Sequence, residues 1–312
     1  MTEFADLILR SGRAGVELAL FVLLPIMIVM LSVMRLLEAR GILDRLVDRV
    51  SPFLLPLGVP GLGVFALLQT TLVSFAAPMA TLAMMDKGST TRRHIAATLA
   101  MVFGAAQANV VFPMAAFWLH ALPVMLVSMV CALIGAACTY HIFARNLPER
   151  NETMPTHPPH PEASDTRGLL QVINSAGKEA FDIAVGAIPM LVLALLLVNS
   201  LRSSGVIDVL EQVLSPVFIW LELPPAMLVP FITKYIAGGT AMMGVAVDFM
   251  DQGLITIADV NRVAGFVISP FDIAGVAIII SAGARVASVL KPAIGGAIVA
   301  IALRSVIHFY WF

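Results

Sequence analysis

The chain has 312 residues, of which 59% are hydrophobic and only 12% are charged, and its formal net charge is −1. Its mean hydropathy is +0.94. Because soluble domains carry about 25% charged residues, this composition excludes an ordinary soluble protein and predicts an all-α polytopic membrane protein. The sequence contains no P-loop, no metal-ligand cluster and no Ser/His/Asp constellation. We therefore expect neither an enzyme nor a cofactor, apart from Na⁺ or H⁺ as a coupling ion.

Five apolar or amphipathic segments follow one another in the first half of the chain. The second alternates apolar residues with Asp44, Arg45, Asp48 and Arg49, a pattern typical of a helix that lies in the membrane interface. The third and fourth segments are interrupted by polar residues. In chain order, the segments are Val16–Met34, Ile42–Leu55, Pro60–Met85, Ala96–Trp118 and Leu122–Phe143.

A polar segment separates the two halves of the chain. Residues from Arg145 to Asp165 are rich in Pro, His, Glu and Asn, as is typical of a solvated linker. We place a cytoplasmic linker at residues 145–174, between a first repeat at 1–144 and a second repeat at 175–312. The segments of the second half are Phe181–Val198, Val206–Leu221, Pro225–Met250, Val260–Ala282 and Val286–His308.

The second half repeats the first at an offset of 164 residues. The matched positions are mostly Pro, Gly and helix-capping residues, which set backbone geometry rather than fill space. Two copies of one backbone plan in an apolar chain are typical of transporters. The matched residues are Ser11, Pro25, Gly41, Asp44, Ser51, Pro52, Leu57 and Pro60, which recur as Ser175, Pro189, Gly205, Asp208, Ser215, Pro216, Leu221 and Pro224.

The distribution of positive charge indicates how often each repeat crosses the membrane. Pro60–Met85 and Pro225–Met250 can each form one spanning helix or a re-entrant hairpin. With hairpins and the N-terminus outside, thirteen Lys and Arg residues lie inside and five outside, with Arg304 among the five; four spans per repeat give seven against eleven. Because positive loops stay in the cytoplasm, we predict hairpins. Each repeat then crosses an odd number of times, so the second repeat is inverted and both termini lie outside.

Each repeat is thus predicted to contain a transmembrane helix, an interfacial helix, a re-entrant hairpin, a broken transmembrane helix and a final transmembrane helix. Hairpin tips and helix breaks expose backbone polar groups, which persist in a bilayer only when buried in protein or lining a site. Half-helix N-termini there can bind anions, and carbonyl ends can bind cations. We therefore predict a substrate site formed by Gln69, Thr70, Thr71, Ser74, Gln107, Asn109, Thr233, Lys234, Tyr235, Gly238, Gly239, Thr240, Ser269 and Asp272.

Lys234 and Asp272 are the strongest candidates, because ionisable residues at membrane depth are functional candidates by default. Their repeat mates, Thr70 and Gln107, are neutral. An unpaired charge at this depth is costly. Two interpretations stay open. Either the pair locks the hairpin to the broken helix, or Lys234 binds an anionic substrate group while Asp272 binds a proton or a cation.

The order of elements, and segments such as Gln69-Thr70-Thr71 and Ser269-Pro270-Phe271-Asp272, resemble the nucleoside-recognition or Gate-domain membrane proteins. That group includes the transport core of concentrative nucleoside transporters, the membrane domain of the ferrous iron transporter B and the spore maturation proteins A and B. The resemblance implies a transporter. Concentrative nucleoside transporters look to carry acidic residues in the first hairpin and in the second broken helix. Here the first hairpin has no such acid, and Lys234 in the second favours an anionic solute.

We expect a secondary transporter of a small polar solute, anionic or nucleoside-like, that works by alternating access coupled to H⁺ or Na⁺. The alternatives are a non-transporting Gate-domain scaffold for another membrane protein and a metal-ion permease. The expected partners are the lipid bilayer and the solute, without nucleic acid, and formation of a homo-oligomer stays open. The expected location is the inner membrane of a bacterium.

Overall fold

The computed structural model describes residues 2–147, 168–205 and 218–312, together with positions 209, 212, 213 and 216. Within these residues all regular secondary structure is helical, which confirms the predicted fold class. Five helices in the described part of the chain are long and apolar enough to cross a membrane. They are Phe4–Ala39, Arg92–Ala115, Ala121–Phe143, Leu169–Leu201 and Leu290–Trp311.

The first repeat has the predicted order of elements. Two helices joined by a π-helical turn form the first long span, and the next helix, with its short 3₁₀ extension, meets the following one at 107°. Such a bend is expected where an interfacial helix leads into a hairpin. The helices are α1 (Thr2–Glu17), α2 (Leu24–Ala39), α3 (Ile42–Leu54), α4 (Gly61–Leu72), α5 (Met79–Lys87), α6 (Arg92–Gly104), α7 (Ala108–Ala115) and α8 (Ala121–Cys138).

The second repeat follows the same order over its described residues. Its first helix begins inside the segment predicted as linker. Half of the predicted interfacial helix at 206–221 lies outside the described residues, as does most of the linker. The helices are α9 (Leu169–Ser203), α10 (Leu228–Ala237), α11 (Gly239–Asp251), α12 (Ile257–Val267), α13 (Ile273–Ile280), α14 (Ala284–Ser288) and α15 (Leu290–Trp311).

Left-handed backbone recurs at the predicted offset between the repeats. Gly41 has a φ of +61° and Gly205 a φ of +75°. The same offset relates Gly58, with a φ of +83°, to Glu222, with a φ of +53°. Left-handed backbone costs energy for any residue with a Cβ atom. Glu222 nevertheless adopts the conformation that glycine has at the equivalent position of the first repeat. The repeats therefore share backbone geometry even where residue identity differs.

Helix α15 packs against α6, α8 and α12. Glycines allow the closest of these contacts. A Cβ atom added to Gly135 of α8 would lie 2.5 Å from the carbonyl oxygen of Gly296 in α15, and one added to Gly296 would lie 2.4 Å from the carbonyl oxygen of Gly135. Contacts between small residues are typical of helices packed within membranes. They bring α15 close to the breaks of both broken helices.

Candidate substrate site

The second hairpin turns at Gly238, between α10 and α11, which pack against each other. Its φ of +93° lies in the region that favours glycine. Lys234, one helical turn before the tip, is completely buried. The chain therefore reverses tightly at Gly238, and the hairpin carries a lysine into the protein interior.

Lys234 and Asp272 form a buried ion pair. The Lys234 Nζ lies 2.6 Å from Asp272 Oδ2, and the two side chains are 0% and 3% exposed. Asp272 is also the N-cap of α13, because its Oδ1 accepts a hydrogen bond of 2.7 Å from the backbone N–H of Gly275. The Lys234 Nζ lies 3.4 Å from the carbonyl oxygen of Phe271 as well. The pair thus connects the second hairpin to the second broken helix.

The two broken helices have equivalent breaks. Thr91 caps the start of α6 and Thr256 caps the start of α12. Gln107 precedes α7 just as Asp272 precedes α13. The two residues of each pair are 165 positions apart, one more than the offset of 164 found earlier in the repeats, so the second repeat has one additional residue before this point. The Gln107 Nε2 donates to the carbonyl oxygen of Ser269 over 3.2 Å, so the breaks of the two repeats are in direct contact.

Asn109 connects the first broken helix to both hairpins. Its Nδ2 donates to the hydroxyl oxygen of Thr240 in α11 over 3.0 Å. Its Oδ1 accepts from the backbone N–H of Phe75, in the first hairpin, over 3.3 Å. Asn109 is only 3% exposed. Both hairpin tips and both helix breaks therefore meet in one buried region that draws on both repeats.

Several predicted site residues make local contacts within the first or second hairpin. Gln69 Oε1 accepts a hydrogen bond of 2.8 Å from the Thr81 hydroxyl, across the break between α4 and α5. The hydroxyls of Thr70, Thr71 and Thr233 donate to carbonyl oxygens one turn earlier on their own helices. These hydrogen bonds pair polar groups within one hairpin, and none of them reaches the opposite repeat.

Three further predicted residues surround this region. The Tyr235 ring centroid lies 5.1 Å from the Lys234 Nζ, and its hydroxyl donates to the carbonyl oxygen of Phe266 over 3.4 Å. Ser74 is buried between α4 and α5. Ser269 is buried, and its hydroxyl oxygen has no hydrogen-bond partner among the described residues. An unpaired buried hydroxyl at a helix break can take part in ligand binding.

Comparison with known proteins identifies the fold. No family model and no curated protein matches the chain. A structure of CNTnw in an inward-facing, substrate-bound state has a TM-score of 0.66 at 14% identity and covers 99% of this chain and 84% of its own. CNTnw is a concentrative nucleoside transporter. The chain has the fold of CNTnw. Variants of CNTnw give TM-scores of 0.69 in an outward-facing state (14% identity, 93% and 75% coverage) and 0.67 in an intermediate state (14%, 99% and 84%).

Within this CNTnw-like fold, Arg304 is a residue that the sequence interpretation placed wrongly. The count of positive charges predicts Arg304 at the outer surface, yet it is 1% exposed. Its guanidinium donates to the carbonyl oxygens of Gly104 over 2.9 Å, Ile268 over 2.6 Å and Gly265. His308, one turn later, is buried too.

A sequence signal for Arg304 does exist. Ala300 lies four residues after Gly296 and three after Ala297, and Arg304 lies four residues after Ala300, so all four share one face of α15. A face of small residues in a membrane helix packs against other helices, and a charge on that face lies inside the protein. A count that assigns each Lys and Arg to a loop does not take such a buried charge into account.

An open groove of about 470 Å³ runs along α11. It begins at Gly244, one turn after Thr240, and three carboxylates lie in its wall: Glu17, Asp248 and Asp251. Thr240, Gly244 and Asp251 lie on one helical face. On α11 the groove reaches as far as Gly244, one helical turn from Thr240, the residue that contacts Asn109.

We expect Gly239→Ala to separate the second hairpin from the first broken helix. A Cβ atom there would lie 1.9 Å from Gln107 Nε2, so the Gln107 side chain must leave its bond to Ser269. The expected cost is about 1–3 kcal/mol, measured as a lower midpoint of thermal unfolding. Gly177→Ala in α9, which has no atom within 4 Å of its Cβ position, is the control and should be neutral or stabilising. Equal midpoints for the two variants would contradict the contact.

Proposed function

We propose that this protein is a secondary transporter of a small polar solute that carries negative charge, and that it belongs to the Gate-domain group of membrane proteins. The balance of buried charge carries this proposal. Among the described residues, the buried side chains of Lys, Arg, Asp and Glu are Lys234, Arg304 and Asp272. Asp272 pairs with Lys234, whereas Arg304 is bonded to backbone carbonyls, so these three side chains carry one net positive charge. Since buried charge is costly unless compensated, the surplus positive charge favours an anion.

The backbone around the helix breaks supports the same solute class. The side chain of Gln107, at the N-cap of α7, makes no capping hydrogen bond to that helix. The first N–H groups of a helix attract anions, because they lack intrahelical partners and carry the positive end of the helix dipole. The unpaired hydroxyl of Ser269 lies in the other break, whose backbone is bonded to Gln107. These donors suit a carboxylate or phosphate group with further polar substituents.

Alternating access follows from the burial of the site. Lys234, Gln107, Asn109 and Ser269 are all at most 3% exposed, so a solute can reach them only if a surrounding element moves. The structures of CNTnw are described as inward-facing, outward-facing and intermediate states. We propose a comparable cycle here, coupled to H⁺ or Na⁺, in a bacterial inner membrane with the linker in the cytoplasm.

A solute screen in proteoliposomes tests the function. The purified protein is reconstituted, and counterflow of labelled organic anions, zwitterions and nucleosides is compared with that of empty vesicles. We expect exchange of an anionic solute. If folded protein exchanges none of them, the transporter proposal fails and the scaffold alternative gains support.

Ser269→Ala then tests the site. It should weaken the affinity for the transported solute about 3–10-fold, because one hydrogen bond is lost, without lowering stability. Ser32→Ala is the matched control, since the Ser32 hydroxyl in α2 also lacks a partner among the described residues but lies outside the breaks. Unchanged affinity in Ser269→Ala would remove that serine from the site.

A further inference from the structure

Arg304 lies where the first halves of both broken helices end. Helix α6 ends at Gly104, and α12 ends at Val267 with Ile268 as its cap. The last carbonyl groups of a helix have no donor within the helix and carry the negative end of its dipole. In transporters with broken helices, such carbonyl ends are the groups that coordinate a coupling cation.

The Arg304 guanidinium fills this position. In the described part of the chain its partners are three backbone carbonyls, one from the first repeat (Gly104) and two from the second (Gly265 and Ile268). Lys234, by contrast, is neutralised by a carboxylate. The repeat mate of Arg304 is Thr139, whose hydroxyl donates to Gly135 within its own helix. Only the second repeat therefore has a cation at this position, yet that cation donates hydrogen bonds to the helix ends of both repeats.

We propose that Arg304 is a tethered cation that takes the place of a coupling Na⁺ at the carbonyl ends of the broken helices. The proposal rests on the transporter function proposed above and assigns the cycle to a driving force other than Na⁺. A guanidinium does not lose its proton in proteins, so the charge is permanent. The N–H groups of Arg304 bond to the carbonyl oxygens that would coordinate Na⁺. The positive charge of the guanidinium also repels any second cation that approaches these oxygens.

The first measurement uses the unmodified protein in detergent. Its thermal unfolding midpoint is compared in NaCl and in choline chloride at equal ionic strength. We expect the same midpoint in both salts, because a ligand stabilises a protein only by binding its folded state. A higher midpoint in NaCl than in choline chloride would reveal a Na⁺ site and overturn the proposal.

The second measurement uses Arg304→Ala. We expect its midpoint to fall by about 5–10 °C, since three carbonyls lose their donor. Low-millimolar methylguanidinium should recover part of that loss, and Na⁺ should now stabilise relative to choline. Arg285→Ala is the matched control. Arg285 also donates to several carbonyls but is half-buried near the surface, so its removal should create no dependence on either cation.

A folded Arg304→Ala variant that responds to neither cation would overturn the proposal. If that variant does not fold, Arg304→Lys keeps the charge and should unfold at an intermediate midpoint, still without a response to Na⁺; a Na⁺ response in Arg304→Lys would count against the proposal. These measurements require no transport. A chain that moves no solute would leave them interpretable, so the two proposals fail separately.

Discussion

Replacing Lys234 with alanine is expected to destabilise the protein by about 3–5 kcal/mol, because it leaves the Asp272 carboxylate buried without a counter-charge. The two side chains are almost fully buried at a separation of 2.6 Å, so water cannot compensate for the loss. The same substitution should abolish solute exchange in proteoliposomes. Thermal unfolding of purified protein measures the first effect, and counterflow measures the second.

Two Asp272 variants separate the ion pair from the helix cap. Asp272→Asn removes the charge but keeps an oxygen that can accept from Gly275, whereas Asp272→Ala removes both. We expect Asp272→Ala to be less stable than Asp272→Asn by about 1 kcal/mol, the usual value of an N-cap.

The double variant Lys234→Thr with Asp272→Gln installs the neutral residues found at the equivalent positions of the first repeat, Thr70 and Gln107. Because no charge is left unpaired, we expect it to be more stable than Lys234→Ala alone. If the double variant loses as much stability as the sum of its single substitutions, the two residues are not energetically coupled. If the double variant regains stability but not transport, the charges of Lys234 and Asp272 are needed to bind or move the solute.

Arg285→Ala is expected to loosen the contact between the first hairpin and the start of α14. The Arg285 guanidinium donates to the carbonyl oxygens of Asp86 and Gly88, each over 2.8 Å, and also to those of Met85 and Thr90. In return, Asp86 Oδ1 accepts from the backbone N–H of Val286 over 2.9 Å. Hydrogen bonds from a charged group contribute about 1.5–3 kcal/mol, so we expect a loss of about 2–3 kcal/mol for the half-buried set.

Hydrogen–deuterium exchange measures this effect locally. Exchange of the segment 83–92 should accelerate in Arg285→Ala, while the core of α15 stays protected. The control is Arg262→Ala, which removes a pair with the exposed carboxylate of Glu222. Exposed pairs contribute about 0–1 kcal/mol, so the control should leave the segment 83–92 unchanged. Equal exchange in the two variants would show that Arg285 does not hold the hairpin.

Much of the architecture could be predicted because the determinants are local. Hydrophobic segments of limited length define helices, and breaks follow from Gly, Pro and polar residues at membrane depth. Gln107 and Asp272 could be assigned to helix breaks in this way, and both indeed precede the second half of a broken helix. Pairing of Lys234 with Asp272 was one of two interpretations, because an unpaired charge is costly there.

The contacts between repeats could not be predicted in the same way. That Gln107 meets Ser269, and Asn109 meets Thr240, depends on how two separate breaks approach in three dimensions. The prediction for Arg304 is wrong because the charge count assigns each Lys and Arg to the nearest membrane surface. A guanidinium can be buried when several carbonyl oxygens accept its hydrogen bonds. A long side chain on a helix face of small residues can lie well inside the protein.

Arg304 also limits how the protein can move. Its single side chain connects α15 to the end of α6 and to the end of α12, and those helices pack directly on α15. Sliding one of the three past the others would break several buried hydrogen bonds at once. We therefore expect these helices to move as one unit, and we expect the site to open where this unit meets the hairpins or the outer helices.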